Sequence, residues 1–430
     1  MAGEFTRHRV SELIACGALA LGDGYRAKNS ELGDKGLPFA RAGNINGEFL
    51  FNDVDRVDLT KISVPNDKIS RPHDTVFTSK GTVGRFARVK DDTPQFVYSP
   101  QLCYWRSLDT NMIDEGYLYY WLLGPEFYSQ YKGVSGQTDM AEYVSLGDQR
   151  SMWITLPDLS HQRAVARVLG SLDDRIELNR RTAATLEAMA RALFKSWFVD
   201  FEPVHAKAEG RSTGLPTEIA ALFPDRFGED GLPATWSGTA DDLGRNVREQ
   251  VKPGDLDPNT SYVGLEHLDK RNLTLTRMGK AEEVDSQKAV FKRGDLLFGK
   301  LRPYFHKVAV APLNGICSTD IFVFRPQNGI PPTYLYLAFS TDEFVAKASR
   351  AQEGTRMPRA DWGFMRKLVM AKPEPQLLTA FDNTVSPLFE QLLVMSTQSQ
   401  LLASVRDTLL PKLISGELRI KNAETGGIAA

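Results

Sequence analysis

The sequence predicts an α+β protein with two tandem mixed α/β domains, each followed by a long helix. Three observations support this fold class. The chain repeats itself at a shift of about half its length, each copy ends in a heptad pattern of apolar residues, and the composition is that of a globular protein with real cores. The formal net charge is −2, so any polyanionic partner has to be met by a local basic patch.

The internal repeat is clearest where Tyr117–Phe127 (YLYYWLLGPEF) aligns with Tyr334–Phe344 (YLYLAFSTDEF). A second alignment pairs the segment that starts at Pro72 (PHDTVFTSKG) with the one that starts at Arg293 (RGDLLFGKLR). Both of these segments predict a short strand followed by a basic loop. The aromatic residues of the first pair recur at helical spacing, which indicates the wall of a core more than a base-stacking surface.

Two heptad patterns predict two long helices that pack on each other. At ~1.5 Å per residue, each helix of thirty-odd residues would be roughly 50 Å long, which is longer than one globular core needs. We expect an antiparallel coiled coil that relates the two halves by a pseudo-twofold axis. Its seam residues are predicted to include Leu169, Leu172, Ile176, Leu186 and Leu193 in the first helix, and Leu388, Leu392, Leu402 and Leu409 in the second.

These patterns divide the chain into six segments. They are a first mixed domain (1–155), a first long helix (156–202), a linker (203–233), a second mixed domain (234–372), a second long helix (373–420) and a disordered tail (421–430). The linker contains four prolines and four glycines, so it cannot form one regular element.

Composition also bounds the location of the protein. No apolar run approaches the ~18 residues of a membrane span, and the start of the chain lacks the apolar core of a signal peptide. The three cysteines are far apart and have no histidine at zinc-site spacing, so we expect neither disulfides nor a structural metal. A cytoplasmic protein is therefore expected.

Candidate binding residues come from two basic windows at equivalent places in the two copies. Residues 71–90 and 292–311 each hold five basic residues and one acidic residue. Their recurrence favours two equivalent polyanion contacts, although basic side chains also serve solubility. In each copy the loop after the aromatic segment is a second candidate, because its small and amide side chains can approach a DNA groove closely; an ordinary helix-to-strand loop is the alternative. The candidates are Lys80, Arg85, Arg88, Ser135 and Gln137 in the first copy, and Lys300, Arg302, Lys307, Thr355 and Arg356 in the second.

The sequence shows no catalytic centre. It lacks the Asp-x-Lys and Glu-x-Lys triplets of metal-dependent endonucleases and the Pro-Pro signature of amino-methyltransferases. The run Gly294–Leu301 has the glycines and lysine of a phosphate-binding loop, but Leu301 replaces the hydroxyl residue that would hold magnesium. We therefore assign no catalytic residue, no metal ligand and no cofactor to this chain.

Two longer strings carry a family resemblance. Leu156–Val204 closely resembles the central conserved region of the DNA-specificity subunit of type I restriction-modification enzymes, and Leu409–Ile420 (LLPKLISGELRI) resembles the distal conserved region. The resemblance implies that each domain recognises one half of a split double-stranded DNA target, while the paired helices fix the gap between the half-sites. It also implies two methyltransferase subunits that use S-adenosylmethionine to methylate adenine, and restriction subunits that use ATP and Mg to cleave foreign DNA.

Two points remain open at the level of the sequence. Trp197 and Phe198, in the aromatic end of the first long helix (FKSWFVDF), either anchor a partner subunit or close the base of a globular domain. A non-catalytic coiled-coil adaptor that binds proteins is the alternative function. A self-sufficient nuclease or methyltransferase is disfavoured by the missing motifs.

Overall fold

The computed structural model describes residues 5–45, 47–80, 84–135, 143–252, 256–350 and 358–420. The chain forms two compact units. Unit 1 consists of Met1–Asp174 with Ser404–Ala430, and unit 2 consists of Arg175–Ala403. None of the helices within the described ranges combines the length and the apolar character needed to cross a membrane. The predicted tail 421–430 lies outside the described residues.

Unit 1 contains the first mixed domain. Its strands are β1 Thr6–Arg9, β2 Leu19–Asp23, β3 Leu32–Gly33, β4 Leu37–Ala40, β5 Arg56–Val57, β6 Thr75–Thr78, β7 Phe86–Arg88, β8 Val97–Tyr98, β9 Leu102–Ser107 and β10 Trp153–Leu156. Its helices are α1 Val10–Ala15, α2 Glu115–Leu123, α3 Pro125–Ser135, α4 Leu146–Ser151 and the start of the long α5 Leu159–Phe198. The strands form sheets in the orders β2-β9-β6-β7, β3-β5-β4-β8 and β1-β10.

Unit 2 contains the second mixed domain. Its helices are α6 Glu202–Ala208, α7 Thr217–Ala220, α8 Ala240–Leu243, α9 Pro332–Phe339, α10 Asp342–Ser349, α11 Trp362–Met365 and most of the long α12 Pro375–Ile414. Its strands are β11 Ser237–Thr239, β12 Gly244–Val247, β13 Gln250–Val251, β14 Ser261–Val263, β15 Gly279–Lys280, β16 Lys288–Phe291, β17 Leu296–Gly299, β18 Val308–Val310, β19 Gly315–Cys317, β20 Ile321–Pro326 and β21 Val369–Ala371. The sheet orders are β12-β20-β17-β18, β13-β16-β19-β14-β15 and β11-β21.

The duplication predicted from the sequence is present in the topology. In each unit the first and last strands of the domain form a separate antiparallel pair, β1 with β10 and β11 with β21. The four-stranded sheets also agree in register, because Thr75 of β6 faces Trp105 of β9 and Leu296 of β17 faces Phe324 of β20. The aromatic segments form α2 and α9, whose residues Tyr117 and Tyr334 are buried and donate hydrogen bonds to backbone carbonyls. The α+β class with an internal repeat is confirmed.

The long helices α5 and α12 pack on each other within both units. In unit 1, Asp173 of α5 accepts a hydrogen bond from Arg406, near the end of α12, at 2.7 Å. In unit 2, the ring of Phe198, at the end of α5, lies 5.0 Å from the ring of Phe381, near the start of α12. The two helices therefore run antiparallel, and the predicted seam leucines are buried or half-buried.

Local signals set the ends of both long helices. Asp158 accepts a hydrogen bond from the His161 backbone at 2.9 Å and so caps the start of α5. At the other end of α5, Phe201 has a left-handed backbone with φ 50°, which separates α5 from α6. Pro375 occupies the first turn of α12, where its missing N–H costs nothing, and Gly416 follows its last turn with φ 76°.

Candidate nucleic-acid interface

In each unit the segment that follows the basic strand pairs with the segment that follows the second candidate loop. In unit 1 the loop after β6 is joined to the segment that follows the α3 loop, because the backbone of Val144 donates a hydrogen bond to Ser79 at 3.1 Å. In unit 2 the backbone of Ala360 donates in the same way to Lys300 at 2.8 Å. Antiparallel bridges accompany these bonds, Lys80 with Tyr143 and Leu301 with Arg359. In unit 1 residues 79–80 pair with residues 143–144, and in unit 2 residues 300–302 pair with residues 358–360. We call each of these paired segments the loop junction of its unit.

The basic residues of unit 1 divide between two places. Lys80 and Arg85 are exposed, and neither forms an ion pair with a carboxylate among the described residues. Lys80 Nζ lies 6.0 Å from the centre of the Tyr143 ring, and Arg85 donates to the Ala42 carbonyl at 3.5 Å. Both charges are therefore available to a ligand at or beside the loop junction.

Arg88 lies apart from Lys80 and Arg85. It ends β7 at the opposite end of the hairpin from Arg85, because Arg88 pairs with Thr75 at the start of β6. Its guanidinium lies 3.1 Å from His73 Nδ1 and 3.9 Å from the carboxylate of Glu115, at the start of α2. The structure thus places Arg88 away from the loop junction, in a polar cluster at the base of the domain.

In unit 2, two of the three predicted cations are bound within their own domain. Lys300 Nζ donates to the Thr319 carbonyl at 2.6 Å and lies 4.4 Å from the centre of the Phe322 ring. Lys307 Nζ donates to the Leu265 carbonyl at 2.5 Å. Burial lowers the pKa of both ammonium groups. Each ammonium group therefore lies against its own domain, and at least one of its N–H donors is already used within the protein.

Arg302 is the third predicted cation, and its position is unusual. Its backbone has φ 48° and ψ 62°, the left-handed region that residues other than glycine seldom adopt. Its N–H donates to the Pro358 carbonyl at 2.8 Å, which ties the loop to the return segment. The Nε of its side chain is buried and has no hydrogen-bond partner in the described part of the chain. A polar group in this state favours a ligand that brings an acceptor.

The remaining predicted contacts cannot be placed as side chains. Gln137, Thr355 and Arg356 lie outside the described residues. Ser135 ends α3, and its side chain is not among those described. The described residues that follow these segments, Tyr143 and Pro358, belong to the loop junctions.

Sequence reasoning missed a buried ion pair in each unit, at the start of the strand that leads to the loop junction. Arg106 donates two hydrogen bonds to Asp74, at 2.5 and 2.7 Å, and Arg325 donates two to Asp295, at 2.7 and 2.8 Å. Asp74 is fully buried and also accepts from the Tyr98 hydroxyl at 2.6 Å. Each aspartate immediately precedes the strand that leads to the loop junction, so each pair anchors that strand.

In each pair, the two hydrogen bonds to the aspartate stabilise the charged form of the arginine. Burial disfavours the charged form of Arg106, but the hydrogen bonds and charge of Asp74 outweigh it and raise the pKa of the guanidinium. For Arg325 the hydrogen bonds to Asp295 are the largest cause, and its pKa is raised as well. The signal in the sequence was the single acidic residue shared by the two basic windows. Its partner could not be identified, because it lies on another strand.

For the aromatic end of α5, the structure supports one of the two interpretations that the sequence left open, closure of the base of a domain. Trp197 and Phe198 are 3% and 4% exposed. Trp197 packs against Phe223 with ring centres 5.2 Å apart, and Phe198 against Trp236 at 5.8 Å. Both side chains are therefore part of the hydrophobic core of unit 2, and they close its base. Trp197 is therefore not a surface anchor for a partner.

The fold and the repeated loop junctions define a class of protein with two tandem α/β domains, each ending in one of two long helices that pack antiparallel. Residues 23–188 match the family model of the type I restriction modification DNA specificity domain. Together with the similarities below, this match supports the resemblance to the specificity subunits of type I restriction-modification systems that the sequence carries.

Two curated relatives and one solved structure are similar over most of the chain. The type I restriction enzyme HindI specificity subunit of Haemophilus influenzae is 25% identical over 78% of this chain and 84% of its own. The MjaIX specificity subunit of Methanocaldococcus jannaschii is 26% identical over 71% of this chain and 69% of its own. The crystal structure of a type I restriction-modification S subunit from M. genitalium has a TM-score of 0.54 at 14% identity and covers 96% of both chains, which supports the fold.

Proposed function

We propose that this chain is the DNA-specificity subunit of a type I restriction-modification complex, in which each mixed domain recognises one half of a bipartite duplex target. The observation that carries the proposal is the repeated loop junction. In both domains the segment after the basic strand meets the segment that returns from the second loop, through the same backbone hydrogen bond. Two equivalent binding edges in one chain suit a target with two half-sites.

The charges at the junctions fit this role. The chain is slightly acidic overall, yet Lys80 and Arg85, at or beside the unit 1 junction, are exposed and have no carboxylate partner among the described residues. In unit 2, Arg302 and Lys300 lie at the junction itself. Phosphates set the affinity and orientation of a protein on DNA, while base edges set specificity. The basic edge can contact phosphates, and the neighbouring loop sequences, which differ between the two domains, can contact different bases.

The chain is proposed to bind and orient, while other subunits carry out the chemistry. Methyltransferase subunits would dock on the helices α5 and α12 and methylate adenines with S-adenosylmethionine, and restriction subunits would add ATP- and Mg-dependent cleavage. The protein itself is assigned no cofactor. Two methyltransferase subunits, one beside each half-site, would match the internal repeat.

Mapping methylated adenines tests the proposal most directly. In the source organism, a bipartite methylated motif is expected to disappear from the genome when this chain is deleted and to return on complementation. Persistence of every methylated motif in the deletion strain would contradict the function. A protein-binding adaptor would, in addition, show no salt-dependent affinity for duplex DNA in the presence of its partners.

Reversing two charges at the unit 1 edge is expected to weaken recognition of one half-site only. The variant Lys80→Glu with Arg85→Glu should lower affinity at least about tenfold, and the slope of log affinity against log salt should fall by about two, since each phosphate contact contributes about 0.9. Fluorescence anisotropy on target DNA at several salt concentrations measures both. Lys300→Glu with Arg302→Glu is expected to affect the other half-site.

The control for this prediction lies in the same basic window. Lys90 is exposed at the opposite end of β7, near Arg88 and away from the loop junction. Lys90→Glu makes the same change of charge as either single reversal, half that of the double variant, and is expected to leave both half-sites bound as before. If both double variants altered the same half-site, the assignment of one domain to each half would be wrong.

A further inference from the structure

An exposed tyrosine lies at or directly beside each loop junction. Ten of the thirteen tyrosines are buried or half-buried, and the three exposed ones are Tyr128, Tyr143 and Tyr304. Tyr143 is 48% exposed at the return segment of unit 1, and Tyr304 is 54% exposed in the basic loop of unit 2. Large aromatic side chains are expensive to leave in water, so two of them at the same edge of two repeats call for a partner.

The loop that carries Tyr304 is held rigidly in a strained form. Arg302 and His306, on either side of it, both have left-handed backbones, with φ 48° and 53°. Arg302 is tied to Pro358, and the backbone of Arg271 donates to the His306 carbonyl at 2.9 Å. Strain of this kind is concentrated at functional sites. Here its effect is to present Tyr304 outward from a loop whose ends are fixed.

Cations lie near the Tyr143 ring and near the Phe305 ring, which is 4.9 Å from the ring of Tyr304. Lys80 Nζ lies 6.0 Å from the Tyr143 ring. Beside Tyr304, the neighbouring Phe305 ring has Lys270 Nζ at 4.6 Å and the Arg302 guanidinium at 6.0 Å. Aromatic rings flanked by cations suit nucleic acid, because the cations meet phosphates while the ring contacts bases. A protein partner with an apolar patch would not need this positive surround.

We propose that Tyr143 and Tyr304 are base-contacting residues, each of which determines specificity at the half-site bound by its own domain. This inference rests on the proposed function. It goes further by naming the side chains whose rings contact bases, as distinct from the cations that contact phosphate. The hydrophobic face of each ring would pack on a base or on a thymine methyl group.

The test uses the full chain in complex with its methyltransferase subunits. For each variant, affinity is measured by fluorescence anisotropy for the target, for two targets with one half-site scrambled, and for a duplex with both scrambled. Tyr304→Ala is expected to reduce the preference for the intact half-site of its own domain by about tenfold to a hundredfold. Its affinity for the fully scrambled duplex should be unchanged. Tyr143→Ala is expected to do the same at the other half-site.

Three comparisons make the result decisive. Each alanine variant serves as the control for the other, since both truncate an exposed ring but at different domains. Tyr128→Ala removes a tyrosine that is 57% exposed on α3 beside Lys132 and is not among the junction residues, and it should bind like the wild type. Tyr304→Phe keeps the ring and is expected to stay within about threefold of the wild type.

The possible failures are distinguishable. If the wild-type complex shows no preference between intact and scrambled half-sites, the proposed function fails and the inference falls with it. If the wild type discriminates but Tyr143→Ala and Tyr304→Ala discriminate equally well, only the inference is overturned. Equal losses for Tyr304→Phe and Tyr304→Ala would overturn the ring contact. If an alanine variant lost affinity for the scrambled duplex as well as for the target, and its melting temperature fell, the tyrosine would have a structural role instead.

Discussion

Asp74→Ala is expected to destabilise unit 1 by about 3–5 kcal/mol, because it leaves the Arg106 guanidinium buried without its counter-charge. The aspartate also accepts hydrogen bonds from the Tyr98 hydroxyl and from the Arg71 backbone, at 2.6 and 2.8 Å, and those donors would lose their acceptor as well. For a unit of this size such a loss lowers the melting temperature by about 6–20 °C. Differential scanning calorimetry of the full chain measures it.

The internal repeat supplies a matched second variant. Asp295→Ala removes the equivalent carboxylate and should lower the transition of unit 2, so comparison of the two variants assigns each calorimetric transition to its unit. Arg325 is more exposed than Arg106, with side chains 21% and 10% accessible, and therefore the loss in unit 2 should be the smaller one.

A paired replacement tests the physical cause. Asp74→Leu combined with Arg106→Met removes both charges and keeps apolar volume, so it should cost much less than Asp74→Ala alone. If the double variant were as unstable as the single one, an unpaired buried charge would not be the explanation. A melting temperature of Asp74→Ala equal to that of the wild type would contradict the role assigned to the pair.

The sequence predicted the features that depend on periodic or repeated residues. The heptad spacing of residues such as Leu169 and Leu392 located both long helices, because one face of a helix that packs on another must be apolar along its length. The alignment of Asp74 with Asp295 located equivalent strands in both domains. These are local patterns, and each can be recognised without knowing what lies across the fold.

The candidate site was predicted only in part, because it depends on contacts between distant residues. Lys80 and Tyr143 meet through pairing between segments far apart in the chain, and neither segment contains a signal for that pairing. Counting basic residues also cannot show which charges are already bound. Lys300 and Lys307 donate to backbone carbonyls of their own domain, whereas Lys80 has no carboxylate partner among the described residues.

Trp197→Ala is expected to destabilise unit 2 by about 3–5 kcal/mol, although Trp197 lies on the helix that follows the first domain. Its indole packs against Phe223 and against Phe381 of α12, with ring centres 5.2 and 5.8 Å apart. Truncation would leave a cavity between these rings, which cannot collapse because α5 and α12 are held by their other seam contacts. Thermal unfolding followed by calorimetry should show a lower transition for unit 2 and an unchanged one for unit 1.

Met189→Ala is the control for this prediction, since Met189 lies on the same helix and in the same unit but is 55% exposed. Its loss of stability should stay within about 0.5 kcal/mol, as is usual for a surface substitution. The sequence alone allowed Trp197 to be an anchor for a partner subunit, and the two variants distinguish that role from a core role. An anchor would weaken partner binding without changing the melting temperature. A core residue changes the melting temperature of the isolated chain, because the aromatic end of α5 belongs to the hydrophobic core of unit 2.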